Sequence, residues 1–303
     1  VENTIFFGNG INRLIQSNIS WAGLLDKIKA GKKFEDNNLP NTMIYERIVL
    51  QKINKHDNIL DDEYEVKVEI ANLLENIEAN DIYRDLFLLN VENYITTNYD
   101  YGFITSIKSL PEVTLPIAEY STEDVYSIRR LKKISNTMEK KKHFWQIHGE
   151  IRRPATIMLG LDQYCGALGK TESYVKGTYS YQVDGEPVKE LTIEQKFETG
   201  GFNGSSWIEL IFTANIHIMG FTFDFSEVDL WWILTRRARM KKSPHSKSLI
   251  KNRIDYYCDK IDDQKKSLLE SLFVNVHINP LSGNSDQYIS HYRELIQVIK
   301  RKL

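Results

Sequence analysis

Four short apolar runs in this chain break off abruptly into glycine or polar side chains. TIFF runs into Gly8-Asn9-Gly10, NYITT into Asn98-Tyr99-Asp100, HFWQI into His148-Gly149, and NIHIM into Gly220-Phe221-Thr222. A short apolar run closed by such signals reads as a buried strand. The stretches between them carry apolar residues at helical spacing. Strands alternating with helices predict an α/β fold built on a parallel sheet. In such a sheet the carboxyl ends of the strands share one edge, and ligands bind outside that edge. The four endings are therefore expected to form one site.

The chain has 303 residues, 42% of them hydrophobic and 26% charged, with a net charge of -2. That suffices for one large domain, and residues 1–303 are read as a single unit. No global basic field draws in nucleic acid or an anionic membrane. The two cysteines, Cys165 and Cys258, form no ligand pair, so no metal is expected. The opening residues lack a basic n-region and no apolar run is long enough to span a bilayer, so a cytoplasmic location is expected.

INRLIQS is expected to begin a helix after the first glycine turn. Ser20 reads as the N-cap of a helix over WAGLLDKIKA, with Gly31 as its stop and a loop over 32–42. Residues 43–90 read as a helical insertion. TIMLG (156–160) reads as a further short strand, and residues 165–204 fit no clear pattern, serving as loop or lid. EVDLWWILTRRARMK reads as a helix whose basic end, residues 236–242, is solvated. Two later strands, in SLIKNRIDYYC and LFVNVHINP, flank one helix, and a terminal amphipathic helix follows.

Each ending has its own chemistry. Glycines at 8 and 10 let backbone N–H groups approach a phosphate. The dinucleotide fingerprint stops short, because Arg13 stands where a third glycine belongs. An ordinary strand-to-helix turn is the alternative reading of the same residues. Asn98 and Asp100, two apart, can face one way and hold a water or a sugar hydroxyl. His148 supplies a base that works near neutral pH.

Taken together, GNGIN, TTNYD, HGE and GFTF occur in the order found in sirtuin-like (SIR2-like) domains. SWAGLL and GFTFDFSEVDLWWIL make the chain resemble the bacterial anti-phage defence NADases of that family, including the Thoeris effector. The resemblance implies a Rossmann-like sheet and NAD as substrate. It implies catalytic roles for Asn98 and His148. It implies cofactor-binding roles for Gly8, Asn9, Gly10, Asn12, Asp100, Gly220, Phe221 and Thr222. It also implies control by self-assembly, by a protein partner or by a signal molecule. The family's four-cysteine zinc module has no counterpart here, which argues against lysine deacylation. An NAD-dependent deacylase and a non-catalytic module that binds NAD or ADP-ribose are the competing readings.

Overall fold

The computed structural model describes residues 1–15, 17–29, 39–52, 59–120, 125–136, 141–183, 185–280 and 285–303. In chain order the first half contains β1 (Asn3–Phe7), α1 (Trp21–Ile28), α2 (Asn41–Lys52), α3 (Ile59–Leu74), α4 (Asp81–Phe87), β2 (Asn93–Thr96), α5 (Gly102–Ile107), β3 (Val113–Tyr120), β4 (Leu131–Asn136) and β5 (Lys141–Gln146). The second half contains α6 (Leu161–Val175), β6 (Ser180–Val183), β7 (Glu186–Lys189), α7 (Ile193–Thr199), α8 (Trp207–Thr213), β8 (Asn215–Met219), α9 (Val228–Lys242), β9 (Ile254–Cys258), α10 (Asp263–Ser271), β10 (Val274–Ile278) and α11 (Ser285–Lys300).

Eight strands form one sheet in the order β10-β9-β8-β1-β2-β5-β4-β3. From β10 to β5 every neighbouring pair is parallel, while β4 and β3 add an antiparallel edge. The fold is the α/β, Rossmann-like arrangement expected from the sequence. From β1 the chain lays down β2 and β5 on one side, then returns to place β8, β9 and β10 on the other. The strand order therefore reverses between β1 and β8. Two strands that diverge in this way open a crevice at their carboxyl ends.

Alternation along each strand splits the core into two faces. Phe6, Ile95, Trp145, Ile218 and Tyr256 pack on one face with side chains of α8, α9 and α10. Phe7, Tyr94, Phe144, Met219 and Tyr257 pack on the other with α4, α5 and α11. A third cluster joins α1, α2 and α3 to Tyr99, Ile157 and Leu159, which follow β2 and β5. This helical layer covers part of the carboxyl edge. Ser20 caps α1 as expected, its side chain accepting from the Gly23 N–H at 3.1 Å. Gly31 and most of the 32–42 loop lie outside the described residues.

Three expectations change. Among the described residues of INRLIQS the helix is a three-residue 3-10 turn, Asn12–Leu14. Asn12 turns its side chain inward, and Asn18 Nδ2 caps the Asn12 carbonyl at 3.0 Å, which stops the turn. TIMLG is no strand: its first residue closes a second 3-10 turn, Pro154–Thr156, and the rest is buried, Ile157 and Leu159 with the α1–α3 cluster and Met158 against α6. Residues 165–204 form most of α6, the β6–β7 hairpin and α7. Among the described residues no helix is long and apolar enough to cross a membrane.

Candidate nucleotide site at the strand reversal

The turns after β1 and β8 press backbone against backbone. Gly8 N–H donates to Met219 O at 3.3 Å, and Gly10 N–H donates to Gly220 O at 2.9 Å. A Cβ on Gly8 would lie 2.7 Å from Gly220 O, and one on Gly10 would lie 2.8 Å from the same atom. The glycines are required by this close approach whatever binds there. Their contact also consumes the Gly10 N–H. Ile11 and Asn12, which follow, are fully buried beneath the turn, and Arg13 is the next exposed residue.

Beneath the turn lies a buried polar network. Asn12 Nδ2 donates to Asp100 Oδ2 at 2.8 Å and to Asn9 Oδ1 at 2.9 Å, while its Oδ1 accepts from the Tyr83 hydroxyl at 2.8 Å. Asn98 Nδ2 reaches the same hydroxyl at 3.4 Å. Asp100 Oδ1 accepts the Gly102 N–H at 2.7 Å. Both oxygens of Asp100 are thus engaged by the chain itself. Burial raises its pKa, and the bonds from Gly102 and Asn12 oppose that rise. Asp100 anchors Asn12 and, through it, the glycine turn. Asn98 keeps its Oδ1 unpaired and buried.

Two cavities open over the reversal. One, of about 390 Å³, is bordered by Asn9, Thr97, Tyr99, His148 and Glu227, with Trp21 and Thr42 contributed by the helical layer. The other, of about 950 Å³, extends over β9 toward Asp259, Lys265 and the α11 residues Tyr288 and His291. They share Gly10, Arg13, Gly220, Phe221 and Thr222. Arg13 is exposed and has no ion-pair partner among the described residues. A third, small cavity of about 10 Å³ touches Asn9, Asn98 and Asp100, a volume on the scale of one water molecule. Of the expected site residues, Asn9, Gly10, His148, Gly220, Phe221 and Thr222 line the main cavities. Asn98 and Asp100 stand one layer back, and Gly8 and Asn12 support from below.

His148 follows β5 and is held from several directions. Its carbonyl accepts the Met158 N–H at 3.0 Å. Gly149 bends the chain away at φ 103°, where a Cβ would lie 2.2 Å from Thr156 O. Its Nε2 lies 3.0 Å from Asp229 Oδ2, and the Tyr164 ring meets it edge-on at 5.3 Å. Nearby, burial first and then the charges of Asp229 and Asp224 push the Glu227 carboxyl well above the usual range. Glu150, next to Gly149, is diverted to structure: Lys132 Nζ lies 2.7 Å from one oxygen and the Tyr101 hydroxyl bonds it too.

Sequence reasoning missed Asp229, Glu227, Tyr83 and Tyr164. The acidic residues at the start of a helix, just past the Gly220 turn, were the available signal. Arg13 was read only as a defect in the glycine fingerprint. The basic 236–242 segment is not a solvated end throughout. Arg237 is fully buried, donating to Asn252 Oδ1 and O, and Arg236 pairs with Glu194 at 3.1 Å. Among the described residues no group of three or more His, Cys, Asp or Glu side chains is placed to hold a metal ion.

No protein-family model matches the chain, and no curated protein matches it. The functional reading therefore rests on the geometry and on the motif order.

Proposed function

We propose that this protein is an NAD+ hydrolase, releasing nicotinamide and ADP-ribose. The observation that carries the reading is the pair of joined cavities at the strand reversal, with His148 bordering one and Arg13 standing between them. Both volumes suit ligand pockets. A dinucleotide would lay its pyrophosphate across the junction, against Arg13, which borders both cavities. The adenosine half would take the larger cavity. The nicotinamide riboside would take the smaller one, beside Thr97, Tyr99 and His148.

Cleavage of the N-glycosidic bond passes through an oxocarbenium-like state, with positive charge developing on the ribose. Buried carbonyl and carboxyl oxygens around the smaller cavity oppose that charge without reorganising. Asn98, one layer behind the smaller cavity with its Oδ1 unpaired among the described residues, orients the attacking water there. His148 accepts the proton that this water loses. The resemblance to SIR2-like defence NADases supports the same chemistry. It further supports a cytoplasmic effector that depletes cellular NAD during phage infection, held in check by self-assembly, a partner protein or a signal molecule.

The test is NAD+ consumption by the purified protein over a wide range of protein concentration, with products resolved by chromatography. Equimolar nicotinamide and ADP-ribose from wild type, with loss of at least about 100-fold in His148→Ala and Asn98→Ala, is the expected result. Wild-type rates in His148→Ala, or no turnover at any concentration, would contradict it.

A further inference from the structure

We propose that Asp229 is the positioning residue for His148, fixing which ring nitrogen faces the substrate; this rests on the hydrolase reading above. Asp229 Oδ2 lies 3.0 Å from His148 Nε2, and the two side chains are only 3% and 2% exposed. The residues are 81 positions apart, so the contact joins the end of β5 to the start of α9. Nothing local in the sequence brings them together; the reversal of the sheet does.

The placement suits a carboxylate. Asp229 sits in the first turn of the 15-residue helix α9, where the helix dipole favours negative charge. Its second oxygen, Oδ1, is buried and has no partner. Among the described residues His148 is the side chain that hydrogen-bonds to it. On the histidine side, the Met158 N–H and the bend at Gly149 fix the root of the ring, and Tyr164 packs against its edge. With Nε2 engaged by Asp229, Nδ1 is the nitrogen left for chemistry. The other titratable groups about this pair are Tyr99 after β2, Tyr164 on α6, and Asp224 and Glu227 before α9.

The step that follows is balanced. A water oxygen bonds to C1′ of the ribose. The C1′–N bond breaks, and its electron pair leaves with nicotinamide. His148 Nδ1 takes the water proton and later returns it to solvent. Asp229 touches neither water nor ribose. It accepts from Nε2–H throughout, and it steadies the ring while Nδ1 carries the proton.

Two measurements test this. The first is the imidazole ¹⁵N spectrum of the wild-type protein at pH 8, with His148 assigned by comparison with His148→Gln. A proton on Nε2 is expected; a proton on Nδ1 overturns the proposal, and this readout needs no turnover. The second is kinetics of Asp229→Asn. The expected outcome is a fall in kcat of about 100-fold with NAD+ affinity kept within about threefold, because the carboxylate acts through His148. An Asp229→Asn protein with wild-type kcat, or one that loses affinity and kcat together, overturns it. A wild-type protein with the proton on Nε2 that cleaves no NAD+ would overturn the hydrolase reading and leave the orientation of the ring standing.

Discussion

At the scale of single residues, burial decides what a side chain can do. His217, on β8 between strands, is fully buried beside Asp255 and Tyr257. Desolvation pushes its pKa from 6.5 down to about 4, against an opposing pull from Asp255. The unfolded chain therefore binds more protons than the folded one between those values. His217 costs nothing above pH 6.5 and destabilises the fold as pH falls toward 4. Urea unfolding of wild type and His217→Asn should show it. Relative to the variant, wild type should lose about 3 kcal/mol between pH 7 and pH 4. Parallel stability curves would show that the imidazole is not the titrating group. The same logic explains why residue type alone misled at other places. Arg237 read as part of a solvated helix end, yet it is buried against the oxygens of Asn252. Asp100, expected to bind cofactor, also holds the chain itself, accepting from Gly102 and Asn12.

At the scale of elements, the strands that build the crevice were legible because each is a short apolar run closed by a turn signal. β1, β2, β5 and β8 all end where TIFF, NYITT, HFWQI and NIHIM give out, to within two residues. The antiparallel edge was not legible. β3 contains Pro116 and β4 contains consecutive lysines, and neither resembles a buried run. Nor could spacing reveal that α9 delivers Asp229 to β5, since that pairing exists only once the sheet is wound. The glycine turns belong to this scale as well. Their sequence suggested a phosphate cradle, while the structure shows that two turns must first fit against each other. Gly10→Ala places a Cβ 2.9 Å from Gly220 Cα and 2.8 Å from its oxygen. Neither atom is on a flexible side chain, so the turns must separate, at a cost of about 1–3 kcal/mol. Chemical denaturation should register that loss. A variant as stable as wild type would mean that the two turns slide apart freely.

At the scale of the whole molecule, the site depends on one topological fact. The strand order reverses between β1 and β8, and the chain gathers its polar side chains on that edge from segments as distant as residues 9 and 229. Two cavities meet there, and the unpaired Arg13 stands at their junction. The central claim is that one dinucleotide spans both. Calorimetric titration of NAD+ into His148→Ala, which holds substrate without consuming it, tests this most directly. The account predicts a single site per chain, weakened about tenfold or more by adding Arg13→Ala, with ADP-ribose binding through the same residues. Absence of binding in a folded protein, or binding indifferent to Arg13, would contradict it.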